Sequence, residues 1–90
     1  MLIIHEVDAY EAWKPVFDEA ADLRKAAGEL SYQVLREAPS DQKIVHFSRW
    51  TSLASAREFF ESAQLVEIRR VAGVHSPTFL YLESVESAVL

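Results

Sequence analysis

The sequence contains no cysteine. Disulfides and thiolate metal sites are excluded, and with them two common reinforcements of a short chain. Glycine is nearly as scarce, with two residues in 90, and proline occurs three times. Two isolated glycines cannot build a glycine-rich phosphate loop, and so few breakers leave little of the chain for linkers, repeats or low-complexity tracts. Positive charge is also short: 9 Lys and Arg stand against 14 Asp and Glu, a formal net charge of −5. Without a basic patch, neither a nucleic-acid partner nor an anionic membrane surface is expected. No apolar run is long enough to span a bilayer, and strand-like sequence begins at Leu2 without a basic leader. Neither a signal peptide nor a membrane segment is expected, and a cytoplasmic location is the default.

What is present suits one globular domain over residues 1–90, with 50% apolar and 26% charged residues. A chain of this length buries only about 60–65% of its unfolded surface, so association is the reinforcement left open.

Leu2-Ile3-Ile4-His5-Glu6-Val7 is short and β-branched, as a strand should be. Asp8 and Glu11 have capping-box spacing, and Trp13, Val16, Phe17, Ala20, Leu23 and Ala27 recur with helical period up to Gly28. Pro15 lacks an N–H and is unwelcome inside a helix, which predicts a short turn over 9–13 and a helix proper from about Lys14. Residues 30–38 and 43–51 read as a hairpin around Pro39-Ser40-Asp41-Gln42. Ser52 suits the cap of a third helical segment, a break is expected near Ser62, and Leu65, Ile68 and Ala72 carry a further segment ending at Gly73. Pro77 to Glu86 is the last expected strand, with His75 in the loop before it. The order βα–ββ–αβ predicts an α+β, ferredoxin-like antiparallel sheet of order 4-1-3-2 with helices on one face.

Such a sheet should alternate apolar and polar residues if one face were wet. It does not: Leu2 and Ile4 oppose Ile3 and Val7, Val45 and Phe47 oppose Ile44 and Trp50, and Leu80 and Leu82 oppose Phe79 and Tyr81. Helices cover one face only, so a homodimer through the other sheet face is expected.

The run Ile4-His5-Glu6-Val7-Asp8-Ala9-Tyr10-Glu11-Ala12-Trp13-Lys14-Pro15-Val16-Phe17-Asp18 resembles the opening of small proteins of the dimeric α/β-barrel superfamily. These are the antibiotic-biosynthesis-monooxygenase-like and cyclase-like domains. Trp50-Thr51-Ser52-Leu53-Ala54-Ser55-Ala56 is similar to their exit from the third strand. The resemblance spans essentially the whole chain. It implies two sheets packed face to face as a dimeric α/β barrel, with a pocket between each sheet and its helices. Members range from cofactor-free oxygenases and haem-handling enzymes to proteins without known activity.

Chemistry narrows to a few residues. His5 and His46 sit mid-strand on expected neighbours and are the candidate proton-handling groups, since imidazole is the commonest proton shuttle near neutral pH. No HxH or HxxxH spacing supports a metal site, and no metal or cofactor is expected. Without a GxSxG elbow, nucleophilic serine chemistry has no support. Arg69-Arg70 reads as an anion contact or a solvated helix end. Trp13, Phe17, Tyr32, Trp50, Phe59 and Phe60 are candidates to line an apolar ligand cavity, and aromatics at this spacing equally build a core. Two functions follow. One is a barrel binding a small apolar or aromatic molecule, as a cofactor-free monooxygenase-like or isomerising enzyme. The other is a non-catalytic dimeric domain binding a ligand or partner. A cavity above about 300 Å³ beside His5 or His46 would mark the first, and solid packing the second.

Overall fold

The computed structural model describes all residues from Met1 to Leu90 except Pro39 and Asp41. The chain runs β1 (Leu2–Val7), α1 (Tyr10–Glu19), α2 (Ala21–Ala27), β2 (Glu29–Arg36), β3 (Lys43–Trp50), α3 (Leu53–Phe60), α4 (Ala63–Val71) and β4 (Val74–Leu80). The four strands form one antiparallel sheet of order β2-β3-β1-β4, the expected ferredoxin-like α+β topology. Of the expected turn at Pro39-Ser40-Asp41-Gln42, Pro39 and Asp41 lie outside the described residues.

Strand period divides the sheet. Ile3, His5 and Val7 of β1 and Ile44, His46 and Ser48 of β3 are buried under the helices. Two core groups form there: Ile3 with Ala56, Phe60 and Leu65, and Val7 and Ile44 with Trp13, Phe17 and Ala72. Intervening residues point to the opposite, helix-free side. There Leu35, Phe47 and Leu80 are exposed in the single chain, beside half-buried Leu2, Ile4 and Val45.

Helix ends follow side-chain chemistry. Ser52 Oγ accepts the Ser55 N–H at 3.0 Å to start α3, and Ser62 Oγ accepts the Leu65 N–H at 3.3 Å to start α4. Gly28 ends α2 at φ 124°, with its N–H turned to the carbonyls of Arg24 and Lys25. A Cβ there would stand 2.6 Å from Thr51 Oγ1, so glycine is required on two counts.

Four expectations are corrected. Pro15 lies inside α1, which begins at Tyr10 rather than about Lys14. The proline forgoes one backbone bond on an exposed face. Continuous helix, in return, sets Trp13 and Phe17 one turn apart, stacked at 4.7 Å and both buried. The helix breaks instead at Ala20 (φ −84°, ψ 1°), and of the residues that follow it, Leu23 is exposed and Arg24 is buried. Asp8 makes no capping box: Ala9 occupies the N-cap position without a side-chain bond, and Asp8 Oδ1 pairs with His75 Nε2 at 2.7 Å. Finally, β4 spans Val74–Leu80, so His75 is a strand residue opposite Glu6 and the tail beyond Leu80 is not strand. Pro77 is tolerated because β4 is an edge strand whose register slips opposite Ile4 and Glu6, with Ser76 at φ 45°.

Candidate functional site

Alternation along β1 and β3 places His5 and His46 on the same face of adjacent strands, beneath the helices. Above them lies a cavity of ≈ 40 Å³, walled by α1 and α4 and floored by the two imidazoles. Trp13, Phe17 and Phe60 contribute aromatic walls, and Arg24 and Arg69 also line it. Among the described residues, no acidic side chain does. The volume falls well short of the ~300 Å³ expected beside the histidines for a small-molecule site, and suits a water molecule or a diatomic gas rather than a ring system.

The two histidines differ in their partners. His46 is 1% exposed, and its Nε2 lies 3.0 Å from Glu29 Oε2. Phe17 meets the His46 ring edge to face at 5.0 Å. The other oxygen of Glu29 accepts Arg24 Nε–H at 2.9 Å, so a buried carboxylate bridges imidazole and guanidinium. Burial alone would raise the Glu29 carboxyl, but hydrogen bonds and charge from His46 and Arg24 outweigh it and hold the group below its ordinary value. His5 has no such support. Burial, followed by the nearby His46 and Arg69, lowers it from 6.5 to about 3, so it is neutral at physiological pH. Its Nδ1 is buried without a hydrogen-bond partner, and its ring lies 5.7 Å from Trp13. An imidazole so placed can exchange one hydrogen bond with a guest in the cavity. His46, held against a carboxylate, has a partner in place for a proton-transfer role.

Of the residues singled out from sequence, His5, His46, Trp13, Phe17 and Phe60 come together around this cavity. Tyr32, Trp50 and Phe59 do not. Tyr32 is about half exposed and touches Phe17 and His46 edge-on from β2. Trp50 and Phe59 pack together at 5.5 Å in the other half of the core, where Trp50 Nε1 donates to Ser48 Oγ at 2.8 Å. Arg69, read from sequence as an anion contact or a solvated helix end, lines the cavity wall, and two participants were missed: Arg24 and Glu29. The spacing of Trp13, Phe17, Ala20 and Arg24 continues one helical face, which was the available signal for Arg24. Glu29 carried none, since only the left-handed turn at Gly28 folds it back under α2.

Among the described residues, no group of three or more His, Asp or Glu side chains stands close enough to hold a metal ion. No helix among them is long and apolar enough to cross a membrane.

Comparison with known proteins agrees with this architecture. SnoaB from Streptomyces nogalater, a cofactor-independent oxygenase, superposes with a TM-score of 0.69 at 16% identity, covering 96% of this chain and 94% of its own. Another solved structure, described as an antibiotic biosynthesis monooxygenase, also gives 0.69, at 13% identity over 94% and 97% of the two chains. Rv0793 from Mycobacterium tuberculosis gives 0.58 at 19% identity over 94% and 96%. These similarities establish the fold. No curated protein matches in sequence. Residues 6–71, well over half of the chain, match the family described as antibiotic biosynthesis monooxygenase, and the chain belongs to that family.

Proposed function

We propose that the protein, as a homodimer, binds a compact aromatic molecule in the cleft between α1 and α4 and oxidises it with O₂ without a cofactor. The observation that carries this reading is the apolar cavity with two imidazoles in its floor, His46 backed by a buried carboxylate and His5 neutral with a free nitrogen. The oxygenase activity named for SnoaB supports the reaction class. His46 takes the proton of a substrate hydroxyl, and Glu29 stabilises the imidazolium. His5 positions the substrate through its unpartnered nitrogen. The resulting electron-rich anion reacts with O₂ directly. For a naphthol, the ring C–H and the O–H are both lost and a naphthoquinone forms. One oxygen atom enters the new carbonyl and the other leaves as water, so the substrate supplies every electron. Admission of a ring system requires the ≈ 40 Å³ cavity to widen at its wall, where Ile68 and Arg69 of α4 are half-buried.

The dimer rests on the helix-free face, where Leu2, Ile4, Leu35, Val45, Phe47 and Leu80 form an uncovered apolar sheet surface.

Oxygen uptake in the presence of a naphthol tests the proposal. We expect uptake matched by quinone formation, slowed about 10²- to 10⁴-fold in His46→Gln, the usual contribution of a general base. The small cavity favours a second reading, a non-catalytic ligand-binding domain. Naphthol binding without any oxygen uptake would decide for that second reading.

A further inference from the structure

Outside the histidines, the buried side-chain nitrogen left without a partner among the described residues belongs to Arg24, a residue of the cavity wall. This side chain is 3% exposed and sits over the Phe17 ring, with Cζ 3.7 Å from the ring centroid. Two of its three nitrogens are committed: Nε donates to Glu29 and Nη1 to the Phe17 carbonyl. Nη2 is fully buried and donates to nothing. An unsatisfied buried donor on a charged group is costly, and a structure rarely keeps one without a use.

The charges around it point the same way. Arg69, the second guanidinium of the cavity wall, donates to the Phe60 carbonyl at 2.9 Å and lies over Phe79. It makes no ion pair with any carboxylate among the described residues. Glu29 offsets Arg24, and among the described residues no acidic side chain lines the wall, so the guanidinium of Arg69 leaves the site an uncompensated positive charge. Low-dielectric surroundings make that charge count for more than it would in water.

We infer that Arg24 Nη2 is an oxyanion-binding group, and that the ligand of this cleft is an aromatic compound presenting a deprotonated oxygen, phenolate or carboxylate, to it. Arg24 is therefore the residue that selects among ligands, choosing the ionised form over the neutral one. This rests on the cleft being the ligand site, as proposed above, and adds the chemistry the ligand must carry.

The test uses 4-nitrophenol, whose neutral and ionised forms absorb differently, beside nitrobenzene as its neutral counterpart, both titrated into the intact protein. Bound 4-nitrophenol should ionise at lower pH than it does in water, with the anion favoured roughly 10- to 100-fold, the range of a hydrogen bond to a charged group. Arg24→Met combined with Glu29→Gln removes the donor without stranding a buried charge. In that variant the preference should disappear while nitrobenzene still binds. Should the pair fail to fold, Arg24→Lys keeps the charge, loses the forked donor and should weaken the preference. Nitrobenzene binding alongside 4-nitrophenol that ionises as in water would overturn this inference and leave the cleft standing. A preference that survives loss of Arg24 would overturn it too. Binding of neither probe would overturn both the inference and the cleft.

Discussion

A neutral imidazole buried beneath two helices ties stability to pH, and the sign follows from where the proton prefers to be. His5 has a value of about 3 in the folded protein against 6.5 ordinarily, so between those limits the unfolded chain binds the proton more readily. Stability is complete above about pH 6.5 and falls as the pH drops toward 3, by on the order of 3–5 kcal/mol from this group. Glu29, held low by its partners, adds a loss of the same sign only below its own ordinary value of 4.5. Denaturant unfolding of His5→Leu at a series of pH values, at fixed protein concentration, should give a visibly flatter curve than the parent between pH 4.5 and 6.5. An identical slope would mean that His5 is hydrated or paired. The aromatic walls are the second test at this scale. Trp13→Ala and Phe17→Ala should each cost about 3–5 kcal/mol, the usual loss for a buried aromatic, and a loss below about 1 kcal/mol would place those rings at a yielding surface. His5 and His46 were legible in the sequence because imidazole is out of place in a strand of Ile, Val and Phe. The Arg24–Glu29 pair was hidden, because it forms only once the chain breaks at Ala20 and reverses at Gly28.

Among the elements, α1 shows tertiary packing overriding local preference. The sequence argues for a start near Lys14, yet burial of Trp13 and Phe17 on one face holds a helix through Pro15. The proline faces outward and pairs with nothing, so Pro15→Ala should restore a backbone bond and stabilise the protein by about 1–3 kcal/mol in thermal or denaturant unfolding. Destabilisation would mean that the proline sets the entry of α1 onto the sheet. Gly28→Ala should do the reverse, since φ 124° and the approach to Thr51 both exclude a side chain. Caps and strand order were readable from Ser52, Ser62, Gly28 and the alternation of apolar residues. The last strand was displaced because its opening, Val74 to Pro77, contains a left-handed serine and a proline, which read as loop until an edge position and a register slip accommodate them.

At the scale of the molecule, the sheet has helices on one face and exposed Leu35, Phe47 and Leu80 on the other. Two such faces packed together should bury over about 2,000 Å², the range of obligate dimers. Sedimentation should therefore give twice the chain mass at micromolar concentration, and Phe47→Glu should shift the protein to monomer or unfold it. A stable monomer of the parent protein would require another cover for that face. The proposed function requires above all that the cleft over His5 and His46 receives a ligand. Nitrogen NMR of the three imidazoles during titration with a naphthol addresses it directly. His5 and His46 should shift together, while exposed His75, paired with Asp8 elsewhere in the structure, stays where it was. Unmoved resonances from His5 and His46 at saturating naphthol, or a shift confined to His75, would contradict the account.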